Sequence, residues 1–584
     1  MSYQPRQRTG GGSGNAEGYA IGIGAVVVVV VVIDAWAASH LAATFNHSAA
    51  APSNPIALVT GLVHHTFVWS PAATGWAIGL GLALVAVAAG VGVLVWRRTA
   101  GGRGIDRAAR NVTRDKGLRR YAGNGRALAP GVFAGPGPVI GKVVPGTKTV
   151  IRATWEDMLV VIAGPRTGKT TAFAIPAMLD APGAVIVTSN KRDIVDATRG
   201  GREKAGQCWV FDPQGVAGAG TAWWWDPLSY VTDVRSARKL AAVWTNASKE
   251  PDARTDAYFD NAGQELLAQL LLAAASGSER VSTVFAWLAD SEDDTPVRLL
   301  RSANHAMFAD GLRATIRLPE KQKAGVYGTA SKTVSFLSDP RVLEWVEDPS
   351  TPRPQFSPAA FVESTDTLYS LSREGEGSSG PLVTALTAAV LEAAEVKAAA
   401  SFGGRLAIPL LAVLDEVANV CRWRELPDLY SHYGSRGIVV LSILQSWAQG
   451  ETCWGEQGMR KLWDASNIKV FGGGSTDTRF LESLSQLYGH YDRQTRSRST
   501  SVQGGSTSWS NQRERVFTVD DLSAMPAGRA AVDAATASFS TDALPRFSAN
   551  SISRTPRSAK LRTIAAVPSS QPSVPTMTSN RSGG

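Results

Sequence analysis

The chain has 584 residues, 44% of them hydrophobic, enough for more than one domain and for a sizeable core. Its net charge of +9 and its pI near 9.4 suit contact with nucleic acid or an anionic lipid surface. Three cysteines far apart (Cys208, Cys421, Cys453) show no CxxC spacing, and the seven histidines form no HExxH. Neither a disulfide framework nor a zinc site organises this chain.

Residues 1–18 are Gly/Ser-rich and polar and are expected to stay disordered on the cytoplasmic side. Residues 19–98 read as a two-helix membrane anchor. The first helix, about 19–38, contains seven consecutive valines (Val26 to Val32), with Tyr19 and Trp36 where interfacial aromatics belong. A cleaved signal peptide ending at Ala35-Trp36-Ala37 is the rival reading there. The second helix, 72–96, has no charged residue and is long enough for about 37 Å of helix. Trp76 and Trp96 bracket it and Arg97-Arg98 closes it. Residues 97–126 carry ten Arg or Lys against two Asp, a positive-inside signature that places the chain beyond residue 97 in the cytoplasm.

Residues 99–150 form a basic stalk and the strands that lead into the core. Residues 151–230 and 350–545 then alternate apolar strands with helices, the pattern of a parallel α/β sheet. The strand before Ala163 runs into Gly164-Pro165-Arg166-Thr167-Gly168-Lys169-Thr170-Thr171. This is a P-loop, with Ala163 where the strict pattern has glycine. Gly164 and Gly168 let backbone N–H groups curl around phosphate oxygens at a helix N-terminus. Lys169 reaches the terminal phosphates of ATP, and the Thr170 hydroxyl can ligate Mg2+. Residues 231–349 change to amphipathic helical sequence. Phe259, Leu266, Leu267, Leu270 and Leu271 share one helical face, so an all-helical domain is inserted into the α/β core.

A later apolar strand, Ile408 to Leu414, ends in Asp415-Glu416, the Walker B arrangement. Asp415 would hold the magnesium ion and Glu416 would polarise the attacking water as general base. The strand Gly437 to Leu444 delivers Gln445 to the same edge of the sheet, where it can sense the terminal phosphate. Residues 493–513, rich in Ser, Thr, Gly and Arg, read as an exposed loop; contact with DNA and service as a solvated connector both remain open for it. Residues 546–584 form a polar, basic tail that is not expected to fold.

Several stretches in this order resemble the TraG/TraD-type coupling proteins of conjugative type IV secretion systems, members of the RecA-like, FtsK-related ATPase superfamily. They are the P-loop, Val210-Phe-Asp-Pro213, Trp225-Asp-Pro-Leu228, Tyr258-Phe259-Asp-Asn-Ala262, Thr367-Leu-Tyr369, Leu414-Asp-Glu416 and Ile443-Leu-Gln445-Ser446 with Gln449. The chain departs from the family at Asp226, where Asn is usual. The resemblance implies a RecA-like P-loop NTPase core with an inserted all-helical domain and a two-helix transmembrane anchor. It further implies a homo-hexameric ATPase at the inner membrane that brings DNA, single-stranded in this reading, with its relaxase to the secretion channel. A basic residue donated by the neighbouring subunit is expected of the family; Arg436 is the first candidate and Arg424 the second. A chromosome pump of the FtsK/SpoIIIE kind and a non-translocating membrane receptor for secreted proteins are the alternatives. The polar tail and the helical insertion argue against the first, and an intact Glu416 argues against the second.

Overall fold

The computed structural model describes residues 14–48, 50–100, 133–143, 150–249, 256–375, 377–501, 504–534 and 537–542. The expected tail at 546–584, most of the N-terminal segment 1–18 and most of the basic stalk lie outside these residues. The chain forms two units, Met1–Gly104 and Ile105–Gly584.

In the first unit, helix α1 (Gly14–Asn46) and helix α3 (Pro71–Ala100) flank a short helix α2 (Pro55–Val63). The segments Val26–Asn46 and Pro71–Val91 are each apolar and long enough to cross a membrane. Most of their valines and leucines face outward, as lipid-facing side chains would, while Ala38, Ala42 and Ala73 are buried. The first helix runs on to Asn46, past the expected end at residue 38, and it passes through Ala35–Ala37 without a break. Trp76 donates its indole N–H to Asn46 Oδ1 at 2.9 Å, and Trp36 donates to the Pro52 carbonyl at 2.9 Å. The first bond joins α3 to the end of α1, and the second ties the connecting segment back to α1.

The second unit is built on one large sheet. Its strands are β1 (Val139–Val143), β2 (Val150–Arg152), β3 (Leu159–Ile162), β4 (Val185–Ser189), β5 (Cys208–Phe211), β6 (Thr367–Leu371), β7 (Leu410–Leu414), β8 (Ile438–Leu444), β9 (Ile468–Phe471), β12 (Arg529–Ala534) and β13 (Ala537–Asp542). The two strands between β9 and β12, β10 (His490–Ser501) and β11 (Gly504–Arg515), pair only with each other. The eleven strands of the large sheet lie in the order β2-β1-β13-β12-β9-β3-β8-β7-β4-β6-β5. From β9 to β5 all pairings are parallel. Every residue of β3, β4, β6, β7 and β8 is buried, which explains why the five are largely apolar, with only Thr and Ser between: helices cover both faces of a parallel sheet. Strands β12, β13, β1 and β2 extend this sheet antiparallel.

Helices between β5 and β6 form the insertion. Its longest helix, Ala257–Gly277, starts where the Asp256 carboxylate accepts the N–H groups of Tyr258 and Phe259, and ends at Ser278 in the left-handed conformation. Leu266, Leu267, Leu270 and Leu271 are buried together with Trp244, and Phe259 packs where a Cβ on Gly325 would stand 2.4 Å from its ring.

A candidate nucleotide site at the carboxyl edge of the sheet

Register brings the site together. Ile162 of β3 lies opposite Leu444 of β8, and Leu414 of β7 lies opposite Ser442 of β8. The three strands therefore end at one level, and the residues immediately after each of them, 163–171, 415–416 and 445, meet there. That edge is where open parallel sheets bind ligands.

The loop after β3 is stitched to its neighbours. Ala163 donates its N–H to the Leu444 carbonyl at 3.1 Å and Gly164 to the Gly473 carbonyl at 2.9 Å. A Cβ on Gly164 would lie 2.5 Å from the Gly474 carbonyl oxygen, so the backbone itself demands glycine. Ala163, the departure from the strict pattern, is accommodated because residue 472 is glycine; a Cβ there would sit 2.8 Å from the Ala163 methyl. Arg166 (φ 60°) and Gly168 (φ 89°) are both left-handed, and such reversals turn successive N–H groups into an anion-binding concavity. Thr167 and Thr171 donate their hydroxyls to the Gly164 and Gly168 carbonyls at 2.8 and 3.1 Å. Both brace the loop. A π-helical turn at Thr170–Ala174 comes next, just before Pro176, whose missing N–H leaves the Ala172 carbonyl without its usual donor.

Lys169, Asp415 and Glu416 are all nearly closed to solvent, at 8%, 3% and 4% exposure. Lys169 Nζ stands 3.4 Å from Glu416 Oε1, and Gln445 donates Nε2–H to Glu416 Oε2 at 2.8 Å. Glu416 has φ 53°, a conformation that costs a non-glycine residue about 1–3 kcal/mol and that here accompanies its contact with both partners. Gln445 is held in turn, donating its backbone N–H to Gln449 Oε1 at 3.0 Å. Thr170 donates its hydroxyl to Asp415 Oδ2 at 3.1 Å, while Asp415 Oδ1 is buried with no hydrogen-bond partner among the described residues. Burial first, and then the Glu416 charge, push the Asp415 carboxyl up to about 6. An orphaned buried carboxylate oxygen beside a threonine hydroxyl fits a divalent cation. One carboxylate and one hydroxyl suit Mg2+, which keeps several waters and takes the rest of its shell from substrate phosphates.

Arg436 is not brought to this edge within the protomer. It caps the helix Leu426–Ser435 ahead of β8, at the amino end of that strand, and pairs with Glu395 at 3.4 Å. Arg424 is exposed and lines a cavity of about 570 Å³ with Arg422, Lys249 and Gln449. Sequence reasoning passed over a third polar group at the same edge. Asn190, after β4, and Asn419 both donate side-chain N–H groups to Glu374 Oε1, at 2.5 and 3.0 Å. No motif marks them; their signal is only that each comes after a buried strand of the parallel set.

Residues 493–501 and 504–513, expected as an exposed loop, are strands. Strands β10 and β11 pair along their whole length as a separate two-stranded ribbon. Arg515 bonds Glu482 at its base, at 2.6 and 2.7 Å.

A phosphate-type loop, a buried Asp-Glu pair and a glutamine at adjacent ends of a parallel sheet define the class of RecA-like P-loop nucleotide-binding folds. Within that class, the sequence profile described as the TraM recognition site of TraD and TraG matches residues 409–527. No curated protein matches the chain. Among solved structures, the conjugative coupling protein TrwBΔN70 in its sulphate complex superposes with TM-score 0.52 at 17% identity, over 74% of this chain and 93% of its own. The plasmid coupling protein TrwB with ADP and Mg2+ gives TM-score 0.51 at 16% identity, over 75% of this chain and 94% of its own. TrwB with a non-hydrolysable ATP analogue gives 0.51 at 16%, over 74% and 94%. The chain is thus similar to the TraG/TraD-type conjugative coupling proteins, in sequence over residues 409–527 and in fold over about three quarters of its length.

Proposed function

We propose that this chain is a membrane-anchored ATPase that acts as a conjugative coupling protein: a DNA translocase that recruits a DNA–relaxase substrate to a type IV secretion channel. The observation that carries the enzymatic half is the convergence of Lys169, Thr170, Asp415, Glu416 and Gln445 at one sheet edge. The likeness to TrwB, a coupling protein solved with ADP and Mg2+, supports the same reading. The two apolar helices support an inner-membrane anchor with the ATPase in the cytoplasm. By the matched profile, residues 409–527 would meet a protein serving the part that TraM serves for TraD and TraG.

The work is divided among these residues. Backbone N–H groups from Gly164 to Thr171 and the Lys169 ammonium bind the phosphates of ATP. Asp415 Oδ1 and the Thr170 hydroxyl would hold magnesium, which would supply charge neutralisation on the phosphate oxygens. Lys169 now neutralises Glu416; once Lys169 turns to a phosphate, the Glu416 carboxylate is free to take a proton from water. Gln445, fixed by Gln449, orients that water. The remaining cation comes from the next subunit of a closed homo-hexamer, with Arg436 or Arg424 as donor. Arg436 suits a trans role because it lies away from its own site.

The test is ATP turnover by the full-length chain in lipid nanodiscs, with and without single-stranded DNA. Turnover that rises with DNA supports the reading. Turnover indifferent to DNA in an assembled hexamer would replace it with a receptor whose ATP cycle drives protein handover.

A further inference from the structure

The ribbon formed by β10 and β11 is polar on both sides, but its register sorts the charges. Directly opposed residues of an antiparallel pair share a face, and residues two apart along a strand share it too. The pairs His490↔Arg515, Asp492↔Arg513, Gln494↔Asn511, Arg496↔Trp509 and Arg498↔Thr507 therefore occupy one face. The pairs Tyr491↔Glu514, Arg493↔Gln512, Thr495↔Ser510, Ser497↔Ser508 and Ser499↔Ser506 occupy the other. The first face holds four arginines against one aspartate. On the second, the lone arginine, Arg493, is paired with Glu514 at 3.1 Å. Trp509 is 64% exposed, on the basic face.

Twelve residues per strand give a ribbon about 40 Å long. Both of its edges are unpaired in the described sheets and it has no apolar face to bury, so packing does not account for it. Its base is tied down through Arg515 to Glu482, and Tyr491 donates its hydroxyl across the ribbon to Glu514 at 3.0 Å. A stripe of arginines flanking an exposed indole combines phosphate contacts with a surface on which a base can stack.

From this segregation we infer that the face bearing Arg496, Arg498, Trp509 and Arg513 binds the sugar–phosphate backbone of single-stranded DNA, with Trp509 stacking on a base. The inference rests on the DNA-translocase reading and adds where the strand is held. It separates Arg493 from Arg496 and Arg498, which share its strand but not its face.

The experiment is fluorescence anisotropy of a labelled single-stranded oligonucleotide with the full-length chain in phosphatidylcholine nanodiscs. The triple variant Arg496→Ala, Arg498→Ala, Arg513→Ala should bind at least about tenfold more weakly at 50 mM salt. Its dependence of log K on log salt should be shallower by about 2, from roughly 0.7 per lost phosphate contact. Trp509→Ala should cost at least about fivefold, and Trp509→Phe should restore it. Arg493→Ala should bind as the wild type does, and all variants should keep the wild-type melting temperature and DNA-free ATP turnover. A triple variant with unchanged affinity and slope, beside a wild type that binds, would overturn this inference and leave the translocase reading standing. Equal loss in Arg493→Ala would overturn the assignment to one face. Unchanged DNA binding with lost binding to phosphatidylglycerol vesicles would make the face a lipid surface instead. A wild type that binds no DNA would remove both the inference and the reading beneath it.

Discussion

The carboxyl edge of the parallel sheet and the β10–β11 ribbon use polar residues in opposite ways. At the sheet edge Lys169, Asp415 and Glu416 are withdrawn from water and bound to one another or to Thr170 and Gln445. On the ribbon, Asp492, Arg493, Gln494, Asn511, Gln512 and Arg513 stand in solvent. Burial makes each charge in the first region expensive unless it is paired, so a substitution there acts through neighbours as well as through its own atoms. Exposure makes the ribbon's charges nearly independent, so each is open to a ligand and contributes little to the fold. On the proposed reading, the difference teaches that one chemistry, charge against phosphate, can be built either as a rigid buried cluster or as an additive exposed strip.

The sharpest break of that comparison is Lys169→Ala. It removes the cation proposed to face the phosphates and leaves Glu416 buried beside Asp415 with Gln445 as its remaining partner among the described residues. ATP binding, followed by fluorescent-analogue titration, should be abolished. Glu416→Gln should keep nucleotide binding and hydrolyse at least about tenfold more slowly, because the amide cannot accept the proton. Wild-type turnover in that variant would remove Glu416 from the chemistry.

The same contrast governs how much of the molecule was legible in its sequence. The P-loop and Leu414-Asp415-Glu416 could be read because buried strands announce themselves as apolar runs, and the residues just beyond such a strand are placed by the sheet edge at which it ends. The ribbon could not be recognised as strands. Alternation carries information only when one face is apolar, and here Ser, Thr and Arg occupy both. Asn190, Asn419 and Glu374 were invisible because their meeting depends on strand order, which local sequence does not encode. Arg436 was legible as a basic residue before β8; that it faces Glu395 at the opposite edge was not.

Acidity offers a finer cut. Asp415 is pushed up to about 6 from an ordinary 3.8, by burial and then by Glu416, with Thr170 and Lys169 pulling the other way. Between those values the folded protein holds a proton that the unfolded chain has released. The stabilisation is full below pH 4 and is lost as pH rises through 6, about 3 kcal/mol in all by the usual conversion. Magnesium-free wild type should therefore melt at a lower temperature at pH 7 than at pH 5, and Asp415→Asn should lose most of that difference. The same proton competes with the metal, so nucleotide-linked magnesium affinity should weaken below pH 6.

A smaller effect tests whether buried polar groups cost what the comparison says. Tyr430 is fully buried behind β3 and β8, donating its hydroxyl to the Leu159 carbonyl at 2.7 Å, with Ser442 Oγ 3.0 Å away. Tyr430→Phe leaves that carbonyl without this donor and should cost about 1–2 kcal/mol, read as a lower denaturation midpoint with unchanged slope.

The smallest expected effect is on the ribbon, and it is the one that separates the two regions most cleanly. Arg513 is exposed on β11, opposite Asp492, two residues along the strand from the ribbon's anchored base at Arg515 and Glu482. Cross-strand pairs of opposite charge contribute roughly 0.2–1 kcal/mol, and an exposed, salt-screened pair falls at the low end of that range. Arg513→Ala should therefore shift stability by less than about 0.5 kcal/mol, within the range of ordinary surface substitutions. If denaturant titration instead gave a loss comparable to Tyr430→Phe, the ribbon would be packed against something in the native protein. Its basic face would then be a structural contact, and the contrast between a buried catalytic cluster and an open binding strip would fail.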